Sequence, residues 1–370
     1  MSDWHPTTLG ELVALQRGHD LPQGLRAGGT IPVIGSGGIA GWHNVAKATG
    51  PGVTLGRAAN LGIPTLVEED FWPLNTTLYV TDFRGNDIRF VYHLFQTLDL
   101  SGYNSGSVQP MLNRNFIKNV PVLVPEPAEQ RRVAAILGAL DDNIAGNDSI
   151  ATTYEELFRA KFASLGVTDG GDIAVTDLVT FNPKTPLNHS NEAIYVDMAA
   201  LPTRLSSIQT WMRRSPKSGS RFQNGDTLLA RITPCLENGK TGYVDFLGDG
   251  ETGAGSTEFI VMRSKNGVPP EFSYFLARDE RFRKHAIQKM VGSSGRQRVS
   301  ATDASDFLVN RPDPGQLSKF GAEAGTAFRH LRAVMEESRA LGNLRDVLLP
   351  ELMSGRLRVK DAEKIVEESI

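Results

Sequence analysis

The sequence predicts an α+β protein with two duplicated α/β domains separated by two long antiparallel coiled-coil helices, the two halves being related by a pseudo-two-fold. Three observations predict this class: a stretch with heptad spacing, a second copy of that stretch later in the chain, and two segments in which short apolar runs alternate with turn residues. The predicted boundaries are 1–124 for the first domain, 125–165 for the first helix, 166–311 for the second domain, and 312–370 for the second helix with its tail.

The first helix is predicted from the spacing of side chains after Pro125 and Pro127. The residues at alternating steps of four and three form the a/d seam of a coiled coil, and they are Val133, Leu137, Leu140, Ile144, Asn147, Ala151, Tyr154 and Phe158. A helix from Ala128 to Ala163 would measure roughly 54 Å at about 1.5 Å per residue, too long to be stable without a partner helix. Asn147 is predicted either to fix the register of the pair or to lie on the helix surface.

The partner helix is a second copy of the same unit. The Pro-x-Pro at 125–127 recurs at 312–314, and the segment 112–122 aligns without a gap on 299–309. An internal repeat of this length is stronger evidence for the architecture of a chain than any local motif. Because the first helix leaves the first domain and its copy leaves the second, the two helices are expected to run antiparallel.

The two domains are predicted from short apolar runs divided by glycine and polar turn residues. The expected strands and helices are 31–35, 52–56, 76–82, 90–100 and 120–125 in the first domain, with counterparts at 225–232, 257–262 and 272–287 in the second. Glycine-rich loops follow several of these strands, and they either make tight turns or let the backbone approach a phosphate or a base.

Composition places limits on function. The chain has 39 Lys and Arg against 42 Asp and Glu, so it lacks the basic excess of a DNA-binding protein that acts alone. Its one cysteine, Cys235, excludes an internal disulfide or a cysteine-cluster zinc site. A signal sequence and a run of 18 apolar residues are both missing, which predicts a cytoplasmic protein without a membrane span.

Catalytic motifs are missing from the sequence. The stretch 234–241 resembles a phosphate-binding P-loop only at Gly239, Lys240 and Thr241, because Pro234 stands where the first glycine belongs. The chain has no dinucleotide-binding fingerprint, Gly-x-Ser-x-Gly elbow or His-Glu-x-x-His, and its acidic pairs lie on predicted helix surfaces. The sequence therefore predicts no catalytic residue and no metal site.

The order of these segments resembles the specificity subunit of type I DNA restriction-modification enzymes. The resemblance covers essentially the whole chain. It depends on Glu129 and Gln130 after the prolines, on YNSGSVQPMLNRNFIKNVPV at 103–122, and on LLPELMSG at 348–355. The second copy departs from the first in two places: Gln316 and Leu317 replace the Glu-Gln pair, and Ser338 and Arg345 replace Ala151 and Phe158 in the second seam.

The resemblance implies a non-catalytic protein with two target-recognition domains, each reading one half of a split double-stranded DNA sequence. Two modification subunits would bind S-adenosylmethionine and methylate adenine, and restriction subunits would use ATP and Mg²⁺, so this chain itself would hold no cofactor. Partner docking is expected on Glu129, Gln130, Arg131, Arg132 and Arg159, beside exposed flank residues such as Glu155.

The side chains expected to contact DNA lie on loops and carry donors or acceptors. In the first domain they are His43, Asn44, Arg57, Asn60, Ser105, Ser107 and Gln109, and in the second Arg231, Lys240, Ser293, Arg296, Gln297 and Arg298. The last three suit base contacts best, although phosphate contact is an equal alternative for the two arginines. Two other hypotheses for the whole chain are a non-catalytic repeat scaffold that binds proteins through its loops and a remnant nuclease.

Overall fold

The computed structural model describes residues 4–105, 110–186, 192–215, 218–293 and 295–369. The chain divides into two compact units, Met1–Asn143 with Leu341–Ile370, and Ile144–Ala340. Each unit contains a mixed α/β domain and a part of each of the two longest helices, so the predicted α+β class is confirmed. No helix within the described residues is long and apolar enough to cross a membrane.

The first unit is built on two sheets and two two-stranded ribbons. The strands are β1 (His5–Thr8), β2 (Ala14–Arg17), β3 (Ile31–Gly35), β4 (Gly38–His43), β5 (Gly52–Gly56), β6 (Pro64–Val67), β7 (Trp72–Pro73), β8 (Thr77–Asp82), β9 (Asn104–Ser105), β10 (Met111–Leu112) and β11 (Pro121–Val124); the helices are α1 (Leu9–Leu12), α2 (Ile88–Thr97), α3 (Arg114–Ile117) and the 38-residue α4 (Pro127–Ser164). In the described residues the larger sheet has the order β2-β8-β5-β6, the smaller has β4-β3-β7, and the ribbons are β1 with β11 and β9 with β10.

The second unit repeats this topology. The strands are β12 (Ile173–Ala174), β13 (Val179–Phe181), β14 (Ala193–Val196), β15 (Met212–Arg214), β16 (Ser220–Phe222), β17 (Thr227–Ala230), β18 (Thr241–Tyr243), β19 (Gly253–Gly255), β20 (Phe259–Ser264) and β21 (Leu308–Val309); the helices are α5 (Pro270–Arg278), α6 (Glu280–Gln288), α7 (Ala301–Ser305), the 40-residue α8 (Pro314–Met353) and α9 (Val359–Ser369), of which α9 and the end of α8 belong to the first unit. Within the part of the chain that is described, the sheet β13-β20-β17-β18 corresponds to the larger sheet of the first unit, the second sheet β15-β14-β19-β16 also has four strands, and β12 pairs with β21.

One predicted helix is wrong in its extent. The stretch 272–287 forms two helices, α5 and α6, because Asp279 between them has an extended backbone, with φ −64° and ψ 137°. Its carboxylate accepts hydrogen bonds from the N–H groups of Arg281 and Phe282, which is the arrangement of a helix N-cap. The aspartate therefore ends one helix and begins the next, which the helical periodicity on both sides concealed.

Segments of α4 and α8 run antiparallel within the second unit. The ring of Phe158 lies 6.3 Å from that of Phe320, whereas Asn147, eleven residues earlier in α4, contacts residues later in α8. The amide of Asn147 donates to the carbonyl oxygen of Val334 at 3.5 Å and to a carboxylate oxygen of Glu337 at 3.3 Å. Asn147 thus faces the partner helix, while its effect on register remains a prediction.

An aromatic cluster packs the helices of the second unit against α5. The ring of Phe275 on α5 lies 6.3 Å from Phe158 on α4 and 5.7 Å from Phe328 on α8. All three rings are buried, and aromatic pairs at these distances stabilise a core beyond the area that they remove from water.

A polar cluster occupies the corresponding positions in the first unit. His93 is the sixth residue of α2, as Phe275 is of α5, and Asp141 and Arg345 stand where the repeat has Phe328 and Phe158. The imidazole Nε2 of His93 lies 3.8 Å from Asp141, whose other oxygen accepts from the Arg345 guanidinium at 2.9 Å. The seam position that holds Phe158 in α4 thus holds Arg345 in α8, where the contacting residue is the charged Asp141.

Burial of the polar cluster has an electrostatic consequence. The side chain of His93 is 1% exposed, and this burial lowers the pKa of the imidazole, although Gln96 and Asp141 act in the opposite direction. The ring is therefore neutral at pH 7, and its Nδ1 lies 3.1 Å from the side-chain oxygen of Gln96.

Asp245 gives a test of the second unit. Burial raises the pKa of this carboxyl to about 6 from 3.8, with Arg332 lowering it and Glu336 raising it further. A carboxyl with a raised pKa stabilises the folded state fully below its unfolded pKa, and this contribution is lost as pH rises through the folded pKa. Asp245→Asn should therefore be more stable than the parent at pH 8, by on the order of 2 kcal/mol, and about equally stable at pH 4. Urea unfolding at several pH values measures the difference, and a difference independent of pH would contradict the expectation.

Candidate nucleic-acid interface

A cleft lies at the end of the sheet β2-β8-β5-β6 in the first unit and at the end of its counterpart β13-β20-β17-β18 in the second. The Arg57 cleft, about 600 Å³ in the first unit, is lined by Gln16, Arg17, Arg57, Leu78, Leu112, Asn113, Arg114 and Asn115. The Arg231 cleft, about 660 Å³ in the second unit, is lined by Asn182, Pro183, Lys184, Thr185, Pro186, Gly219, Ser220, Arg221, Arg231, Thr257, Phe259 and Val261. Each cleft thus contains three basic side chains and the end of a strand at the edge of the sheet.

Arg57 is fixed by its backbone at the end of β5. Its N–H donates to the carbonyl oxygen of Thr76 at 2.8 Å, and its own carbonyl accepts from the N–H of Leu112 at 2.8 Å. The loop that follows is tight, because a Cβ on Gly56 would lie 1.8 Å from the carbonyl oxygen of Asn60. Glycine is therefore required directly before the arginine.

Arg231 occupies the same backbone position at the end of β17. Its N–H donates to the carbonyl oxygen of Glu258 at 3.0 Å, and its carbonyl accepts from the N–H of Val299 at 3.0 Å. Val299 is the residue that the repeat aligns with Leu112. The two arginines are therefore equivalent positions of the duplicated framework.

Both clefts contain guanidinium groups whose charge is poorly compensated. Among the described residues, the Arg57 guanidinium donates only to the carbonyl oxygen of Asn75, at 3.3 Å, and its pKa is lowered first by burial and second by the nearby Arg17. In the second cleft, the buried Nε of Arg231 and a buried Nη1 of Arg221 have no hydrogen-bond partner among the described residues. A buried donor without a partner is costly, so a site of this kind favours an anionic ligand.

The loop candidates of the first domain separate into two groups. His43 is buried, its Nδ1 accepts from the N–H of Ala27 at 3.1 Å, and its ring packs edge-on against Trp72 at 5.3 Å. Its environment is that of a structural residue, which weighs against direct DNA contact. Asn44 and Asn60 are exposed.

The remaining candidates of the first domain lie near the end of β9. Ser105 is the last described residue before a gap, and its backbone pairs with that of Met111. Ser107 and Gln109 lie outside the described residues.

The candidates of the second domain also differ in whether their side chains are free to contact a ligand or already bind other residues. Lys240 donates through Nζ to the carbonyl oxygen of Met198 at 2.7 Å, so its charge holds two loops together. Ser293 and Arg296 are exposed, and no described residue makes a hydrogen bond or ion pair with the Arg296 guanidinium. Gln297 is half-buried, and its backbone exchanges two hydrogen bonds with Thr233.

Arg298 closes the loop that contains these residues. Its backbone N–H and carbonyl form two hydrogen bonds of 2.9 Å with those of Val291. Its guanidinium contacts the carboxylate of Glu258, with Nε 2.9 Å from both oxygens and Nη2 2.8 Å from one. The side chain is therefore held in place by an ion pair, and Arg296 is the arginine of this loop that remains available.

The residues predicted to dock partners fall into two classes. Gln130 is buried, accepts from the N–H of Asp87 at 3.0 Å, and donates to Asn86 and to the carbonyl of Pro125, both at 2.9 Å. These bonds join α4 to the start of α2 and leave no polar atom of the side chain free, which weighs against partner docking through Gln130. The repeat has the buried Leu317 at this position, which replaces the hydrogen bonds by apolar packing.

The other docking candidates lie nearer the surface. Arg131 and Arg159 are exposed, and Arg132 is exposed and forms an ion pair with Glu129. The expectation for Glu155 is wrong, because it is buried. Its carboxylate accepts from the Tyr274 hydroxyl at 2.9 and 3.0 Å, and burial raises its pKa.

Several cleft residues were missed by the sequence analysis. Arg17 ends a strand and Arg114 begins a short helix, while Lys184 and Arg221 come from segments without a matching motif. The available signal was the shared position of Arg57 and Arg231 directly after matching strands. Within the described residues, no group of three or more His, Cys, Asp or Glu side chains could hold a metal ion.

A family model matches the first part of the chain. The family described as "Type I restriction modification DNA specificity domain" matches residues 1–153. The specificity subunit of the type I restriction enzyme EcoAI from Escherichia coli is 30% identical over 148 residues, which are 38% of this chain and 24% of that protein. The chain therefore spans about a quarter of the length of this relative.

Two further likenesses extend over more of the chain. The MjaIX specificity subunit of Methanocaldococcus jannaschii is 21% identical over 314 residues, covering 74% of this chain and 69% of that protein. The crystal structure of a type I restriction-modification S subunit from M. genitalium aligns over 95% of this chain and 96% of its own, with a TM-score of 0.61 and 15% identity. The fold is shared, and the resemblance stated from the sequence is confirmed.

The ion pair of Arg298 predicts a local stability difference. Arg298→Met removes the bidentate ion pair with Glu258. Because the Arg298 side chain is 42% exposed, we expect this ion pair to contribute about 1 kcal/mol to local stability. Hydrogen exchange at the amide of Val291, which bonds to the Arg298 carbonyl, should become about fivefold faster. Arg296→Met is the matched control and should leave that rate unchanged. Equal exchange in both variants would contradict the structural role of Arg298.

Proposed function

We propose that the chain is the sequence-specific DNA-binding specificity subunit of a type I restriction-modification complex. In this function each domain binds one half of a split DNA target, and the chain itself carries out no chemistry. The observation that carries the proposal is the match of residues 1–153 to a DNA specificity domain, together with a second domain of the same topology.

The paired clefts support DNA as the ligand. Each domain has three basic side chains around a cleft. In the second cleft, buried guanidinium donors of Arg221 and Arg231 lack protein partners among the described residues. The net charge of −3 does not oppose this function, because basic partner subunits can share the phosphate contacts.

The partners in this proposal are modification subunits, two per complex, and restriction subunits. The modification subunits would bind S-adenosylmethionine, and the restriction subunits would use ATP and Mg²⁺. The cytoplasm would be the compartment in which such a complex meets DNA.

We assign the choice of DNA sequence to exposed or half-buried loop side chains that differ between the two domains. Asn44 and Asn60 are the candidates in the first domain, and Ser293, Arg296 and Gln297 in the second. An arginine suits guanine O6 and N7, and a glutamine suits adenine N6 and N7. Framework positions shared by both domains are not assigned to base recognition.

The test is a methylation map. The chain is produced together with a type I modification subunit from the same organism, and the modified sites are identified by sequencing. The expected result is adenine methylation at one split sequence with a fixed gap. Methylation that does not depend on this chain would overturn the proposal in favour of a protein-binding scaffold, and metal-dependent cutting by the isolated chain would favour a nuclease.

Arg296→Ala should change one position of the second half-site in that map. A lost base contact costs about 1 to 3 kcal/mol for that base alone, so the variant complex should accept other bases there while retaining the first half-site. Arg298→Ala serves as the comparison, because its guanidinium is held by Glu258. An unchanged map with Arg296→Ala would remove this side chain from base recognition.

Charge reversal on α4 tests partner docking. Arg131→Glu with Arg132→Glu should weaken co-purification of the modification subunit, because two exposed cations on one helix turn become anions. The control is Lys265→Glu with Lys284→Glu, which changes the net charge equally at exposed positions of the second domain. Equal recovery of the partner with both variants would exclude this face of α4.

A further inference from the structure

Arg57 and Arg231 are the same residue type at the same position of the two domains. Each is the first residue after the matching strand β5 or β17, and each makes the same two backbone hydrogen bonds to the neighbouring segments. The adjoining loops, by contrast, differ in sequence and in length between the domains.

An identical contact in both domains carries no information that could distinguish two half-sites. If the domains read different sequences, the side chains responsible must differ between them. A side chain that is retained at one framework position suits a feature that both half-sites share. In duplex DNA this shared feature is the phosphate backbone, which fixes register and orientation without specifying sequence.

The surroundings of the two arginines favour a phosphate over a base. Arg57 has Arg17 and Arg114 in its cleft, and Arg231 has Lys184 and Arg221. Several cations around one cleft suit a group that carries a full negative charge, whereas base edges are neutral.

In the part of the chain that the structure describes, acidic groups near the clefts neutralise little of this charge. In the first cleft Asp20 lies 3.9 Å from the half-exposed Arg17. In the second, the neighbouring Glu258 contacts Arg298 instead of Arg231.

We propose that Arg57 and Arg231 each bind one backbone phosphodiester of the DNA, one in each half-site, as equivalent sequence-independent anchors. The proposal deepens the proposed function and rests on it. The guanidinium and its basic neighbours hold the phosphate oxygens, and the exposed loops contact base edges beside them. No covalent step is involved.

The experiment uses the complex with its modification subunit and compares Arg57→Gln, Arg231→Gln and the double variant by fluorescence anisotropy. The duplexes are the mapped target, the target with one half scrambled, and a fully scrambled duplex, each at several salt concentrations. Each single variant should lose about tenfold in affinity on every duplex, because a charge-assisted contact is lost. The slope of log K against log salt should fall by about 0.9 per lost phosphate contact, and by about twice that in the double variant.

Two controls distinguish a phosphate anchor from other roles. Arg57→Lys and Arg231→Lys keep a point charge and should retain most of the salt slope. Arg356→Gln removes an exposed arginine that pairs with Glu351 and should change neither affinity nor slope. Thermal unfolding of each variant complex identifies a loss that comes from misfolding.

Duplexes with single neutral methylphosphonates locate the contact. For one phosphate in each half-site, neutralisation should weaken the parent complex about tenfold and leave the matching glutamine variant unchanged. Equal losses in parent and variant at every phosphate would overturn the proposal. So would a variant that relaxes one base position, which assigns the arginine to base recognition.

Failure of the proposed function gives a different result. In that case the parent complex itself shows no preference between the mapped target and the scrambled duplex, whatever the variants do. A parent complex that prefers its target, with glutamine variants that keep its affinity and salt slope, rejects the phosphate anchors alone.

Discussion

The mutual burial of α4 and α8 is the constraint on which the rest of the structure depends. Helices of 38 and 40 residues cannot bury their apolar seams alone, and each domain packs its own short helix, α2 or α5, against them. The position of each sheet, and of the cleft at its end, follows from this packing. Gln130 in the first unit and Leu317 in the second show that hydrogen bonding and apolar contact can serve the same position.

Much of this architecture is predictable from the sequence. The helices follow from heptad spacing, and the duplication follows from an ungapped alignment of 112–122 with 299–309, which the structure reproduces in the paired hydrogen bonds of Leu112 and Val299. The division of the 272–287 helix was missed because a single aspartate cap interrupts a pattern that is helical on both sides.

The site was less predictable, for a physical reason. Loop position and residue type indicate which side chains could contact DNA, but availability depends on partners that are distant in sequence. Glu258 engages Arg298, the carbonyl of Met198 engages Lys240, and Trp72 covers His43. Glu155 is likewise a charged residue, which suggests a position on the surface, although its carboxylate contacts Tyr274 and Arg278 in the core. Such tertiary contacts produce no periodic pattern in the amino-acid sequence.

The polar and aromatic clusters determine how a duplicated chain of this kind can diversify. Recombination that copied α5 over α2 would place a phenylalanine ring where His93 now meets Asp141, and would leave a carboxylate and Arg345 beside an apolar surface. The reverse exchange would set an imidazole among the rings of Phe158 and Phe328. A viable crossover must therefore carry the domain together with its own portions of both long helices. The module that such an exchange must move is therefore larger than the α/β domain alone, and compatible breakpoints lie within α4 and α8.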